Sequence, residues 1–122
     1  MTLQNIGKDE MKEIVHNYEE FSREGSGYVV LDVREPREIE NTGKLSENTL
    51  NLPLQKLNQH NGFALENEEF EQIYGFSKPS AEETLVFSCA AGGRSPKAAQ
   101  SAADNGYEKL VNYMGGATEW FN

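Results

Sequence analysis

The sequence is short of several things, and each shortage excludes a class of protein. Among 122 residues there is one cysteine, Cys89. One thiol cannot close an internal disulfide or build a cysteine-only zinc site. The two histidines, His16 and His60, lie far apart, so no metal-ligand spacing is recognisable and no metal is expected. Basic residues are outnumbered, 11 against 20 acidic, which leaves a net charge of −9. Such a surface repels phosphate backbones and anionic lipid, which argues against nucleic-acid and membrane partners. No apolar run approaches the roughly 18 residues of a membrane span. The opening, MTLQNIGKDEMKE, lacks the apolar block of a secretory signal and the arginine-rich character of a transit peptide. With the unpaired cysteine, this leads to a cytoplasmic expectation. No repeat, low-complexity tract or Pro/Gly/Ser linker divides the chain, so one domain over 1–122 is expected, with its core at about 9–121.

What is present alternates between helix and strand. Met11, Ile14, Val15, Tyr18 and Phe21 fall on one face of a helix over 9–24, which leaves His16 on the solvent side. The glycines of GSG (25–27) end it. YVVLDV (28–33) has the β-branched and aromatic content of a buried strand. A short helix follows Pro36, a residue suited to a first helical position. TLNL (49–52) predicts a short strand stopped by Pro53, and NG (61–62) separates helices near 54–60 and 67–74. ETLVFS (83–88) and KLVNYM (109–114) predict two more strands. Between them a glycine-rich loop leads to a helix from Pro96 to about Asn105, with Ser95 as its N-cap and Gly106 as its stop. A tight turn and a short helix over 115–121 close the chain, with Tyr113, Trp120 and Phe121 as packing residues. Alternation of this kind implies an α/β protein with a mainly parallel sheet and helices on both faces. Ligands in such sheets bind beyond the carboxyl ends of the strands, where Cys89 sits.

A lone cysteine after LVFS is ordinarily a small buried hydrophobe. The residues that follow point elsewhere. Ala90 and Ala91 are small, and Gly92 and Gly93 can turn successive N–H groups inward as an anion nest. The helix start at Ser95 and Pro96 brings its positive dipole end, and Arg94 brings a full charge in a fork suited to oxyanions. All of these favour thiolate over thiol. The expected chemistry is nucleophilic attack by Cys89 on an anionic substrate, with residues 90–94 as its binding cradle.

Four segments resemble the single-domain rhodaneses. They are LDVREPREIE (31–40), LNLPL (50–54), the Cys-x-x-Gly-x-Arg loop of VFSCAAGGRS (86–95), and GYEKLVNYMGGATEW (106–120). The resemblance implies a rhodanese-like three-layer fold and a sulfurtransferase. In it Cys89 takes the sulfane sulfur of thiosulfate, or of a persulfide, and passes it to cyanide or a thiol such as glutathione or thioredoxin. No organic cofactor is implied, and a monomer is expected. The loop departs from many relatives in carrying no Lys or Arg at 90–93. Its charge must come from the backbone, Arg94 and Lys97.

Two other readings stay open. One is a rhodanese-like binding or redox-sensing module without catalysis. The other is a small cysteine phosphatase or arsenate reductase, although those have Cys-x5-Arg and Arg94 here follows Cys89 after four residues. Asp32 reads as a partner in a structural salt bridge. Arg34 is a candidate for the pocket mouth and substrate binding, or else for an ion pair. His60 reads as a loop residue.

Overall fold

The computed structural model describes residues 2–122. Five parallel strands form one sheet: β1 (Leu3–Ile6), β2 (Tyr28–Asp32), β3 (Leu50–Asn51), β4 (Thr84–Ser88) and β5 (Leu110–Tyr113). Their spatial order is β1-β5-β4-β2-β3, which puts β4 in the middle. Six α-helices join them: α1 (Lys8–Ser26), α2 (Pro36–Thr42), α3 (Leu54–His60), α4 (Asn67–Tyr74), α5 (Ser95–Asp104) and α6 (Gly116–Trp120).

The period-2 alternation of the strands sorts the core into two layers. Val29, Leu31, Leu85, Phe87 and Leu110 face Leu57, Phe70 and the alanines Ala98, Ala99 and Ala102. Those partners belong to α3, α4 and α5, so the small side chains of α5 let it lie close to the sheet. Val30, Val86, Val111 and Tyr113 face the other way, onto Met11 and Tyr18 of α1 and Ala117 of α6. The middle strands are buried on both faces and therefore read as continuous apolar runs.

Three expectations need correcting. The first strand, Leu3–Ile6, was not expected, and the packed fold reaches forward of residue 9 to include it. Its Gln4 and Asn5 are exposed, because it is an edge strand paired on one side with β5. Phe21 does not join the apolar face of α1. Ser22 takes φ 61°, which breaks the helix there, and Phe21 is 54% exposed. Phe121 is likewise exposed, whereas Tyr113 is buried with its ring edge-on to Trp120. His16 is on the solvent side, beside Glu20 one turn along.

Candidate active site

Cys89 directly follows β4, so the strand end fixes its Cα beyond the carboxyl edge of the sheet. Its residue is 1% exposed, which alone would read as a structural thiol. The polar contacts of its sulfur say otherwise. The Gly92 N–H donates to Sγ at 3.1 Å, and the thiol lies 3.4 Å from the Ser95 hydroxyl. Burial pushes the Cys89 thiol up. The Ser95 hydroxyl and the N–H groups of Ser95, Arg94 and Gly92 outweigh it and hold the thiol below its ordinary value.

The loop owes its shape to two glycines. Gly92 has φ +87°, and a Cβ there would come within 2.6 Å of the Met114 carbonyl oxygen. Gly116, at φ +61°, lies against the carbonyl oxygens of Cys89 and Ala90. There the Ala117 N–H donates to Cys89 O at 2.8 Å and the Thr118 N–H to Ala90 O at 2.9 Å. The start of α6 thus pulls the loop carbonyls outward. The N–H groups of Gly92, Arg94 and Ser95 are left facing the sulfur, as a nest requires. Ala90, Ala91 and Gly93 complete the rim, and Ala91 and Gly93 are exposed.

Arg94 reaches the mouth but is not alone there. It grips Glu38 of α2 through both Nη atoms, each at 2.7 Å. That fork holds the Glu38 carboxyl down to about 2 and raises Arg94 further. The charge expected at the loop is therefore largely balanced.

Arg34 lines a cleft of about 360 Å3 with Ala90, Glu38, Ala117, Thr118 and Phe121. Its guanidinium is nevertheless committed. Nε and Nη2 donate to the Asp32 carboxylate, with Nη2 at 2.7 Å, Nη1 donates to Thr42 Oγ1 at 2.8 Å, and Nη2 also reaches Gly43 O at 3.2 Å. Of the two roles expected for Arg34, these contacts are those of the ion pair. Arg34 is a buried strut that ties the end of β2 to the loop after α2. A larger cleft of about 700 Å3 runs along Leu50, Pro53, Lys56 and His60, but no cradle residue lines it. Among the described residues no group of His, Cys, Asp and Glu side chains could hold a metal ion.

Sequence reasoning missed two members of the site. Ser95 is not the N-cap; Arg94 takes that position and Ser95 opens the helix. Its hydroxyl turns inward, toward Cys89 and Asn112, rather than back to the helix. Glu38 was passed over, although Glu35 and Glu38 have capping-box spacing, and both arms of that box form.

A parallel sheet covered on both faces, with a thiol held below its ordinary value beyond its middle strand, defines an α/β protein whose candidate site lies at a strand end. More narrowly, the chain belongs to the rhodanese-like domain family, whose pattern matches residues 10–122. It is 40% identical over 92 residues to a mitochondrial protein of Schizosaccharomyces pombe provisionally named as a thiosulfate sulfurtransferase, covering 75% of this chain and 62% of that one. It is 30% identical over 118 residues to the thiosulfate:glutathione sulfurtransferase of Saccharomyces cerevisiae, covering 97% and 78%. The single-domain sulfurtransferase RDL2 of S. cerevisiae superposes with a TM-score of 0.81 at 28% identity, covering 98% of this chain and 89% of that one. The human single-domain sulfurtransferase TSTD1 gives 0.76 at 26%, covering 95% and 93%. The match thus spans a little under two thirds of the S. pombe relative.

Proposed function

We propose that the chain is a sulfurtransferase whose carrier is a persulfide on Cys89. The observation that carries this reading is the Cys89 thiol, held below its ordinary value by inward-facing N–H groups at the end of β4. The Cys89 thiolate attacks the sulfane sulfur of thiosulfate. A new S–S bond forms to Sγ, the bond between the two donor sulfurs breaks, and sulfite leaves with that electron pair. The outer sulfur of the persulfide carries the charge, and the loop N–H groups of residues 90–94 hold it as an oxyanion hole holds oxygen, a reading supported by the N–H groups of Gly92 and Arg94 that already act on Sγ. An acceptor nucleophile, cyanide or the thiolate of glutathione or thioredoxin, then takes the outer sulfur and returns Cys89 as thiolate. No second protein thiol is needed when the acceptor comes from outside.

Because Glu38 balances Arg94, the mouth has less positive charge than the loop alone suggests. A persulfide donor of lower charge therefore stands beside thiosulfate as a substrate. Steady-state transfer from thiosulfate and from glutathione persulfide to cyanide, glutathione and thioredoxin tests the reading. Turnover that disappears in Cys89→Ser supports it. No turnover with any pair would favour a binding module, and aryl phosphate hydrolysis lost in Cys89→Ser would favour a phosphatase. The lone reduced thiol suits the cytosol. Mitochondrial relatives are also known by name, so fractionation decides between the two.

A further inference from the structure

One part of the sheet breaks its own pattern. On the face toward α5, β5 places Leu110 and then Asn112, and β1 places Leu3 and then Asn5. Asparagine is depleted in strands, yet here two stand directly opposite each other in register. Asn112 is 2% exposed. Its side chain links the edge strand to the site. The Asn5 Oδ1 accepts from Asn112 Nδ2 at 3.0 Å, Asn112 Oδ1 accepts from the Ser95 hydroxyl at 2.5 Å, and Ser95 Oγ lies 3.4 Å from Cys89 Sγ.

This chain has a direction. The thiol donates to Ser95, Ser95 to Asn112, and Asn112 to Asn5. A hydroxyl has one proton and cannot donate both ways. When Cys89 becomes a thiolate or accepts sulfur, it has no proton to donate and needs one donated to it. We propose that Asn5, Asn112 and Ser95 form a reversible hydrogen-bond relay that turns the Ser95 hydroxyl onto the Cys89 sulfur when that sulfur is charged.

The reversal balances. The thiol proton leaves to solvent. Ser95 swings its proton from Asn112 Oδ1 to Sγ, and the Asn112 amide turns over so that Nδ2 donates to Ser95 Oγ. Asn112 Oδ1 then faces Asn5, whose amide turns in the same way and donates to it. Every buried donor keeps an acceptor in both states, which an aspartate or a leucine at 112 could not provide. Asn5 and Asn112 are positioning residues, since they act through Ser95, whose hydroxyl alone of the three touches the reacting sulfur.

The charged groups on the elements packed around the thiol are Arg94 at the N-cap of α5 with Lys97 and Asp104 on that helix, Arg37, Glu38 and Glu40 of α2, the Asp32–Arg34 pair at the end of β2, and Glu119 of α6. None is a member of the relay.

The inference rests on Cys89 as the nucleophile, but its test needs no sulfur donor. The measurement is the pH profile of Cys89 alkylation by iodoacetamide in the full chain. Asn5→Asp leaves an exposed position that can only accept, so Asn112 must keep Nδ2 toward it and Ser95 must keep donating to Asn112. The thiolate then loses its hydroxyl donor. Alkylation at neutral pH is expected to fall about three- to tenfold, with the profile shifted to higher pH. In a Ser95→Ala background the same substitution is expected to have no effect. A shift of equal size in both backgrounds would mean a through-space charge effect and would overturn the relay, as would an unmoved profile in Asn5→Asp alone. If Ser95→Ala does not fold, Asn5→Asp is repeated at about 1 M salt, where a screened charge loses its influence and the relay keeps it. A chain that shows the relay shift but transfers no sulfur would sink the proposed function and leave the relay standing.

Discussion

Gly92→Ala attacks the cradle at a point where the structure sets the size of the effect. Gly92 sits at φ +87°, where a Cβ costs about 1–2 kcal/mol. The added Cβ would also lie 2.6 Å from Met114 O, a backbone atom that cannot swing aside. The loop must move, and the Gly92 N–H that donates to Cys89 Sγ at 3.1 Å moves with it. A hydrogen bond to a charged group contributes about 1.5–3 kcal/mol. Losing it raises the thiol by about one to two pH units, since each unit is about 1.4 kcal/mol. Alkylation of Cys89 at neutral pH should therefore fall by about ten- to a hundredfold, read as a pH profile beside urea unfolding of the same protein. Gly93→Ala is the control. Its φ is not positive and a Cβ there meets nothing within 4 Å, so both profile and stability should stay close to the parent. Equal effects from the two substitutions, or a Gly92→Ala protein with the parent profile, would refute the cradle as described.

Two further outcomes follow from the ion pairs. Asp32→Ala strands the Arg34 guanidinium, whose side chain is 2% exposed, and should cost about 3–5 kcal/mol in chemical denaturation; a loss below about 1 kcal/mol contradicts the strut. Glu38 titrates near 2 when folded, because Arg94 holds it there, and near 4.5 when free. A depressed carboxyl stabilises the fold above its unfolded value, and that contribution disappears as pH falls from about 4.5 to about 2. Glu38→Gln should flatten this part of the stability curve, and an unchanged acid limb would count against the pair.

Much of the site was legible because its elements are strongly patterned. YVVLD and TLVFS are buried on both faces, so they read as strands without ambiguity. Pro36, Gly27 and Pro96 mark the ends of their elements as their backbone chemistry dictates. Cys89 and Gly92 stood out because a tight loop needs those residue types in sequence. What stayed hidden depends on pairing across the fold. Leu3–Ile6 is an edge strand with two exposed polar residues and offers little hydrophobic signal. The commitment of Arg34 to Asp32 and of Arg94 to Glu38 joins side chains that sequence spacing leaves open. Ser95 looked like a cap because serine before a helix usually is one. Only the placement of Asn112 across from it shows a different partner.

The most direct test of the central claim is the mass of the intact chain after incubation with thiosulfate. A Cys89 persulfide adds about 32 Da, one sulfur atom, and the gain should map to the peptide containing Cys89. Cyanide should remove it, returning the parent mass with release of thiocyanate. A folded protein that gains no sulfur, or gains it equally in Cys89→Ser, would contradict the account.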